Sequence, residues 1–216
     1  MQPTFQGFLS IIKVRHQSRW HWLAERQPTE LGAPIMADSK IANPAPLGLA
    51  AFGITTLLLS SANAGLWGSV GAGAAVPTAL FYGGLTQLLA GMWEFMRGST
   101  FGATAFSSFG AFWLTVWYGL THGMPAFGAG LGVFFLCFGL ATFVLWIAAI
   151  KIDIHHNLLF LMLALTFAFL SYGNWGHGHP HAVKIGGWTG LITAVIALYI
   201  VAKTLINESW EKVVLP

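Results

Sequence analysis

The chain has 216 residues, of which 56% are apolar and only 8% charged, with a formal net charge of +3. Soluble domains carry about 25% charged residues, so this composition excludes a soluble globular protein, and 17 Phe with 10 Trp exclude a disordered one. Between Ile41 and Ile206 there are six charges, Glu94, Arg97, Lys151, Asp153, Lys184 and Lys203, so no basic stripe exists to neutralise nucleic-acid phosphates.

Residues 1–40 form a basic and aromatic extension in which Lys13, Arg15, Arg19 and Arg26 mix with Phe5, Phe8, Trp20 and Trp22. It has no unbroken apolar core of the signal-peptide kind. Two readings are open: a poorly ordered upstream extension, with Met36 an alternative start, or an amphipathic helix lying on anionic lipid. Residues 41–216 then hold six apolar stretches, at 46–66, 75–96, 102–121, 129–150, 157–175 and 186–205. A hydrocarbon core needs about 20 residues per helix, and none of these runs shows the alternation of a membrane strand. The expected fold is an all-α membrane protein, six transmembrane helices forming a bundle around a central pathway. Lys40, Arg97, Lys151, Lys203 and Lys212 fall on one side and Lys184 alone on the other, which predicts both termini in the cytoplasm. Cys137, inside the fourth run, is the single cysteine, so no intrachain disulfide can form, and it is expected as a small buried hydrophobe.

A simple anchor needs no polar groups within its spans, so their placement carries the functional signal. At about 100° per residue, Phe52, Thr56, Ser60 and Asn63 share a sector of the first helix. Gly84, Gln87, Gly91 and Glu94 share one on the second, and Thr104, Ser107, Ser108, Ala111 and Thr115 share one on the third. Small and hydroxyl residues also serve plain helix packing in lipid, whereas Asn63, Gln87 and Glu94 point to a bundle interior or a watery path. Glu94 has a local alternative, a pair with Arg97 three residues on. The first span is entered through Asn43-Pro44-Ala45-Pro46-Leu47-Gly48. Its prolines suit a first helical turn, and the free N–H groups there are either an ordinary helix start or a carboxylate site.

Asn-Pro-Ala-Pro-Leu-Gly-Leu at 43–49 resembles the signature of the acetate uptake transporter family, which includes bacterial succinate/acetate permeases and fungal acetate/ammonia transport relatives. Three more segments fit it: Phe-Tyr-Gly-Gly-Leu-Thr-Gln at 81–87 continuing to Gly91 and Glu94, Thr-Phe-Gly at 100–102 continuing through 106–113, and the close of the chain from Gly187-Trp188 to Val214-Leu215-Pro216. The resemblance covers 41–216 and leaves out the first 35 residues. It implies structural roles for Pro44, Pro46, Gly48, Gly84 and Gly91. It also implies a six-helix protomer, a hexamer with one pathway per subunit, and movement of acetate and sometimes succinate with protons across a bacterial inner membrane, without cofactor or resident metal. The family's apolar constriction maps to Phe52, Phe109 and Leu163. Position 109 is commonly Tyr in bacterial relatives and is Phe here, and the loop 176–181 departs from the family.

A carboxylic acid with a pKa near 4–5 is ionised at pH 7, and a dry neck penalises the anion heavily. The expected mechanism holds the carboxylate in wet vestibules by Thr55, Thr56, Gln87 and Ser108, with Asn43 and Asn63 along the path and Glu94 as the proton or charge candidate. The substrate then passes the neck neutralised. A gated channel for small weak acids or neutral solutes is the alternative, its phenylalanines closing by dewetting. A metalloenzyme using His155, His156, His177, His179 and His181 is disfavoured, because the predicted topology puts the first two on the opposite side from the rest.

Overall fold

The computed structural model describes residues 41–122 and 130–216; the extension 1–40 lies outside them. The helices are α1 (Ala45–Asn63), α2 (Gly68–Leu80), a π-helical turn (Phe81–Thr86), α3 (Gln87–Arg97), α4 (Thr100–His122), α5 (Leu131–Ala149), α6 (Ile154–Gly173) and α7 (Pro180–Ser209). Because α2, the π turn and α3 follow without interruption, the described residues make six rods. α1, α5, α6 and α7 are each long and apolar enough to cross a membrane by themselves. α4 has the length, at 23 residues, but its hydroxyls and glycines dilute its hydropathy.

Local chemistry sets the ends, and in places moves them from the predicted ones. Asp153 accepts hydrogen bonds from the backbone N–H groups of His155 (2.8 Å) and His156 (2.9 Å), so α6 starts at Ile154 within the predicted connector. Burial pushes the Asp153 carboxyl up, but the amide, ring charge and ring hydrogen bond of His156, with the amide of His155, together bring it below the usual carboxylate value. α3 stops at Gly98, which takes φ +81°, a left-handed turn that glycine adopts without strain. The second rod begins at Gly68, not near residue 75, and α7 begins at Pro180, a residue suited to a first turn.

In lipid the hydrophobic effect does not drive helices together, and close packing of small residues does. The contacts give the directions. α1 and α4 run parallel, with Gly48 against the Phe106 ring, Phe52 against Phe109, and Thr55 meeting Trp113 across Gly83. A Cβ at Gly83 would lie 2.7 Å from Thr55 Oγ1 and 2.8 Å from Trp113 Cγ. α3 runs antiparallel to α4, with Leu88 on Gly110, Gly91 on Ser107 and Glu94 on Gly102. α7 lies antiparallel along α1, Leu198 at Gly53 and Ser60 at Gly190. α6 joins α7 through the Thr166 hydroxyl, which donates to Thr189 Oγ1 at 3.0 Å, and α5 joins α6 through Ser171, which donates to the Gly132 carbonyl at 2.8 Å. Asn207 clips the closing motif, donating to the Leu215 carbonyl and accepting from the Val214 and Leu215 amides.

Two expectations are corrected. Cys137 is exposed, not buried: α5 packs through Gly132, Phe135, Thr142, Leu145 and Ala149, and Cys137 lies on the opposite side of the helix. The hydroxyl stripe of α4 is not its interior face. Thr104 and Ala111 are exposed and Ser107, Ser108 and Thr115 half-buried, while Phe106, Phe109, Phe112, Trp113 and Val116 turn inward. Large rings outcompete small hydroxyls for the packed side because they bring more van der Waals contact.

Candidate functional site: a polar-flanked aromatic neck

Phe52 on α1 and Phe109 on α4 are buried, with ring centroids 5.6 Å apart and tilted by 52°. Phe109 also stacks on Phe167 at 6.3 Å and lies 6.4 Å from Phe160, both on α6. Leu163 falls between those two rings in sequence and belongs to the same buried cluster. The three residues expected at the constriction therefore share one core, which Phe160 and Phe167 extend. Such ring pairs contribute about 0.5–1.5 kcal/mol each beyond burial.

Around this core the polar groups divide by whether the protein satisfies them. Thr55 is fully buried, but its hydroxyl donates to the Ala51 carbonyl at 2.8 Å, so its hydrogen is not free for a substrate. Thr56 Oγ1, Gln87 Oε1, Glu94 Oε1, Ser107 Oγ and Trp113 Nε1 are buried and have no partner among the described residues. Each such orphan costs about 1–3 kcal/mol unless a water or ligand meets it. Ser108 is half-buried, as is Asn63 at the end of α1. Ser107 belongs to the polar stripe read from the third helix, whereas Trp113 was not singled out; it stands four residues after Phe109, on the same face of α4, which is the signal that could have found it.

Glu94 is 2% exposed, with its carboxyl against Gly102. The alternative pair with Arg97 does not form: Arg97 donates to Asn43 Oδ1, which also accepts from the Ala45 amide at 3.2 Å. Asn43 thus ties the start of α1 to the end of α3. It occupies the Ala45 N–H, one of the groups that a carboxylate could have used at the Asn43–Gly48 entry. Pro44, Pro46, Gly48, Gly84 and Gly91 are all buried, the last against Ser107.

Among the described residues no group of three or more His, Cys, Asp and Glu could hold a metal ion. His156 Nδ1 lies 2.7 Å from Asp153 Oδ2, Lys203 Nζ lies 3.4 Å from His155 Nδ1, and His179 stacks on Tyr172 at 4.4 Å.

Fold and core together define a multi-pass helical membrane protein whose buried aromatic cluster is bordered by polar atoms with no partner among the described residues. The profile of the GPR1/FUN34/yaaH family matches residues 27–216; the chain belongs to that family, and the likeness reaches further back than residue 41. The succinate-acetate/proton symporter SatP of Escherichia coli K12 is 38% identical over 188 residues, 84% of this chain and 97% of that protein. The ammonia transport outward protein 2 of Saccharomyces cerevisiae is 42% identical over 170 residues, 74% of this chain and 60% of that protein. A solved structure described as the bacterial acetate channel SatP superposes with a TM-score of 0.76 at 38% identity, covering 82% of this chain and 99% of that one. The chain is a membrane transport protein, not an enzyme.

Proposed function

We propose that the chain carries acetate, and with it other small carboxylic acids up to succinate, across the membrane together with a proton. The observation that carries this reading is the Phe52–Phe109 pair at 5.6 Å, flanked by buried polar atoms that no described residue satisfies. An anion entering a ring of Phe52, Phe109 and Leu163 loses its water without compensation, so the substrate crosses protonated, and coupling to protons follows without a relay. Thr56, Gln87 and Ser108 meet the substrate beside the neck, and Glu94 holds charge or a proton toward the Arg97 end. Both termini lie in the cytoplasm of a bacterial cell, residues 1–40 stand outside the transport unit, and protomers assemble as a hexamer, as the family resemblance implies. The likeness to a protein described as a channel favours a second reading, passive conduction through the same neck.

Radiolabelled acetate uptake into proteoliposomes, with formate, lactate and succinate as competitors, tests the proposal. An inward proton gradient is expected to drive acetate above its external concentration. Uptake indifferent to the gradient defeats the coupling, and equilibration without accumulation selects the channel.

A further inference from the structure

Three of the orphan groups come from three helices yet lie at one depth. Because α1 and α4 run parallel with Phe52 beside Phe109 and Thr55 beside Trp113, Thr56 and Trp113 both stand four residues past the aromatic pair, about 6 Å along the axis. α3 runs the other way with Leu88 on Gly110, which brings Gln87 to the same side, between Phe109 and Trp113. Ser107 precedes Phe109 and lies on the other side of the pair.

The chemistry of this group is specific. Trp113 is 3% exposed and its indole N–H can only donate; Gln87 Oε1 can only accept; the Thr56 hydroxyl can do either. The second rod and α4 bring no cation to this depth: their only charges are Glu94 and Arg97, at the far end, and Arg97 is engaged by Asn43. A carboxylate presents acceptors alone, so it could take only the Gln87 amide N–H2 and would leave the Gln87 oxygen unmet. A neutral carboxylic acid presents one O–H and one carbonyl, and satisfies a donor and an acceptor at once. We propose that Trp113 is a specificity-determining residue of the pathway: its indole N–H donates to the carbonyl oxygen of a protonated carboxylic acid while Gln87 Oε1 accepts the acid's O–H. This rests on the transport reading above.

The test is acetate uptake by the full chain in proteoliposomes. Trp113→Phe keeps the ring and removes the N–H, and is expected to raise the KM for acetate about fivefold, the worth of one neutral hydrogen bond. Trp146→Phe is the control, because Trp146 Nε1 is also buried without a partner but sits on α5; its KM is expected to stay at the wild-type value. A measurement that needs no variant uses acetamide, an uncharged isostere with the same pairing of donor and acceptor, which is expected to compete with acetate in the wild type. An unmoved KM in Trp113→Phe, an equal shift in Trp146→Phe, or failure of excess acetamide to compete overturns the assignment while leaving transport intact. Absence of acetate uptake by the wild type overturns the transport reading itself.

Discussion

Phe52→Ala removes the ring that faces Phe109 at 5.6 Å, and it changes stability and passage by separable amounts. Truncating a buried phenylalanine costs about 3–5 kcal/mol, of which the ring pair accounts for about 0.5–1.5. Passage is governed by dehydration. Succinic acid carries a second carboxyl, and stripping water from one such polar group without a partner costs about 2–7 kcal/mol. A wider neck that lets water accompany that group need recover only about 1.4 kcal/mol to speed passage tenfold. The expected result is therefore a succinate-to-acetate flux ratio at least about tenfold above wild type. The assay is parallel uptake of the two radiolabelled acids at matched protein, with circular dichroism and a thermal melt in detergent to establish the fold. A folded variant whose ratio equals the wild-type one refutes the placement of Phe52 at the neck.

Asn43→Ala removes an acceptor shared by the Ala45 amide and Arg97, and is expected to lower stability by about 2–4 kcal/mol in detergent unfolding, from one lost neutral and one lost charged hydrogen bond; Asn43→Asp, which keeps an oxygen for both donors, is expected to hold it. The Asp153 carboxyl has a folded pKa below its ordinary 3.8, so its contribution is complete above that value and is lost as the pH falls below it through the folded pKa. The melting-temperature advantage of wild type over Asp153→Asn should accordingly shrink below pH 3.8; a gap unchanged at lower pH would show that the cap acts through shape alone.

The transmembrane character was legible because lipid imposes a length: runs of about 20 apolar residues mark α1, α5 and α6 almost to their ends, and the middle of the longer α7. The inward face of α1, with Phe52, Thr56 and Ser60 buried, followed from helical spacing, as did Gly84, Gln87, Gly91 and Glu94 on the second rod. The face of α4 was misread because polarity does not separate inside from outside when the surroundings are as apolar as the core, and ring volume decides instead. Asn43 and Arg97 stand 54 positions apart, so their bond needed the third dimension. The Asp153 cap, by contrast, was readable from an acidic residue just before an apolar run.

The π turn at Phe81–Thr86 has a consequence for how the second rod tolerates change. Ala75, Ala79, Gly83, Gln87 and Gly91, every fourth residue, are all buried, although a helix of 3.6 residues per turn would swing such a series about 40° further round at each step. Slower winding through the turn takes up part of that drift and keeps the series aimed at its neighbours. Residue count is thus under tighter constraint here than residue identity: swapping the outward Phe81 or Leu85 leaves the phase intact, whereas excising either one rewinds the segment and carries Gln87 and Glu94 off their bearing.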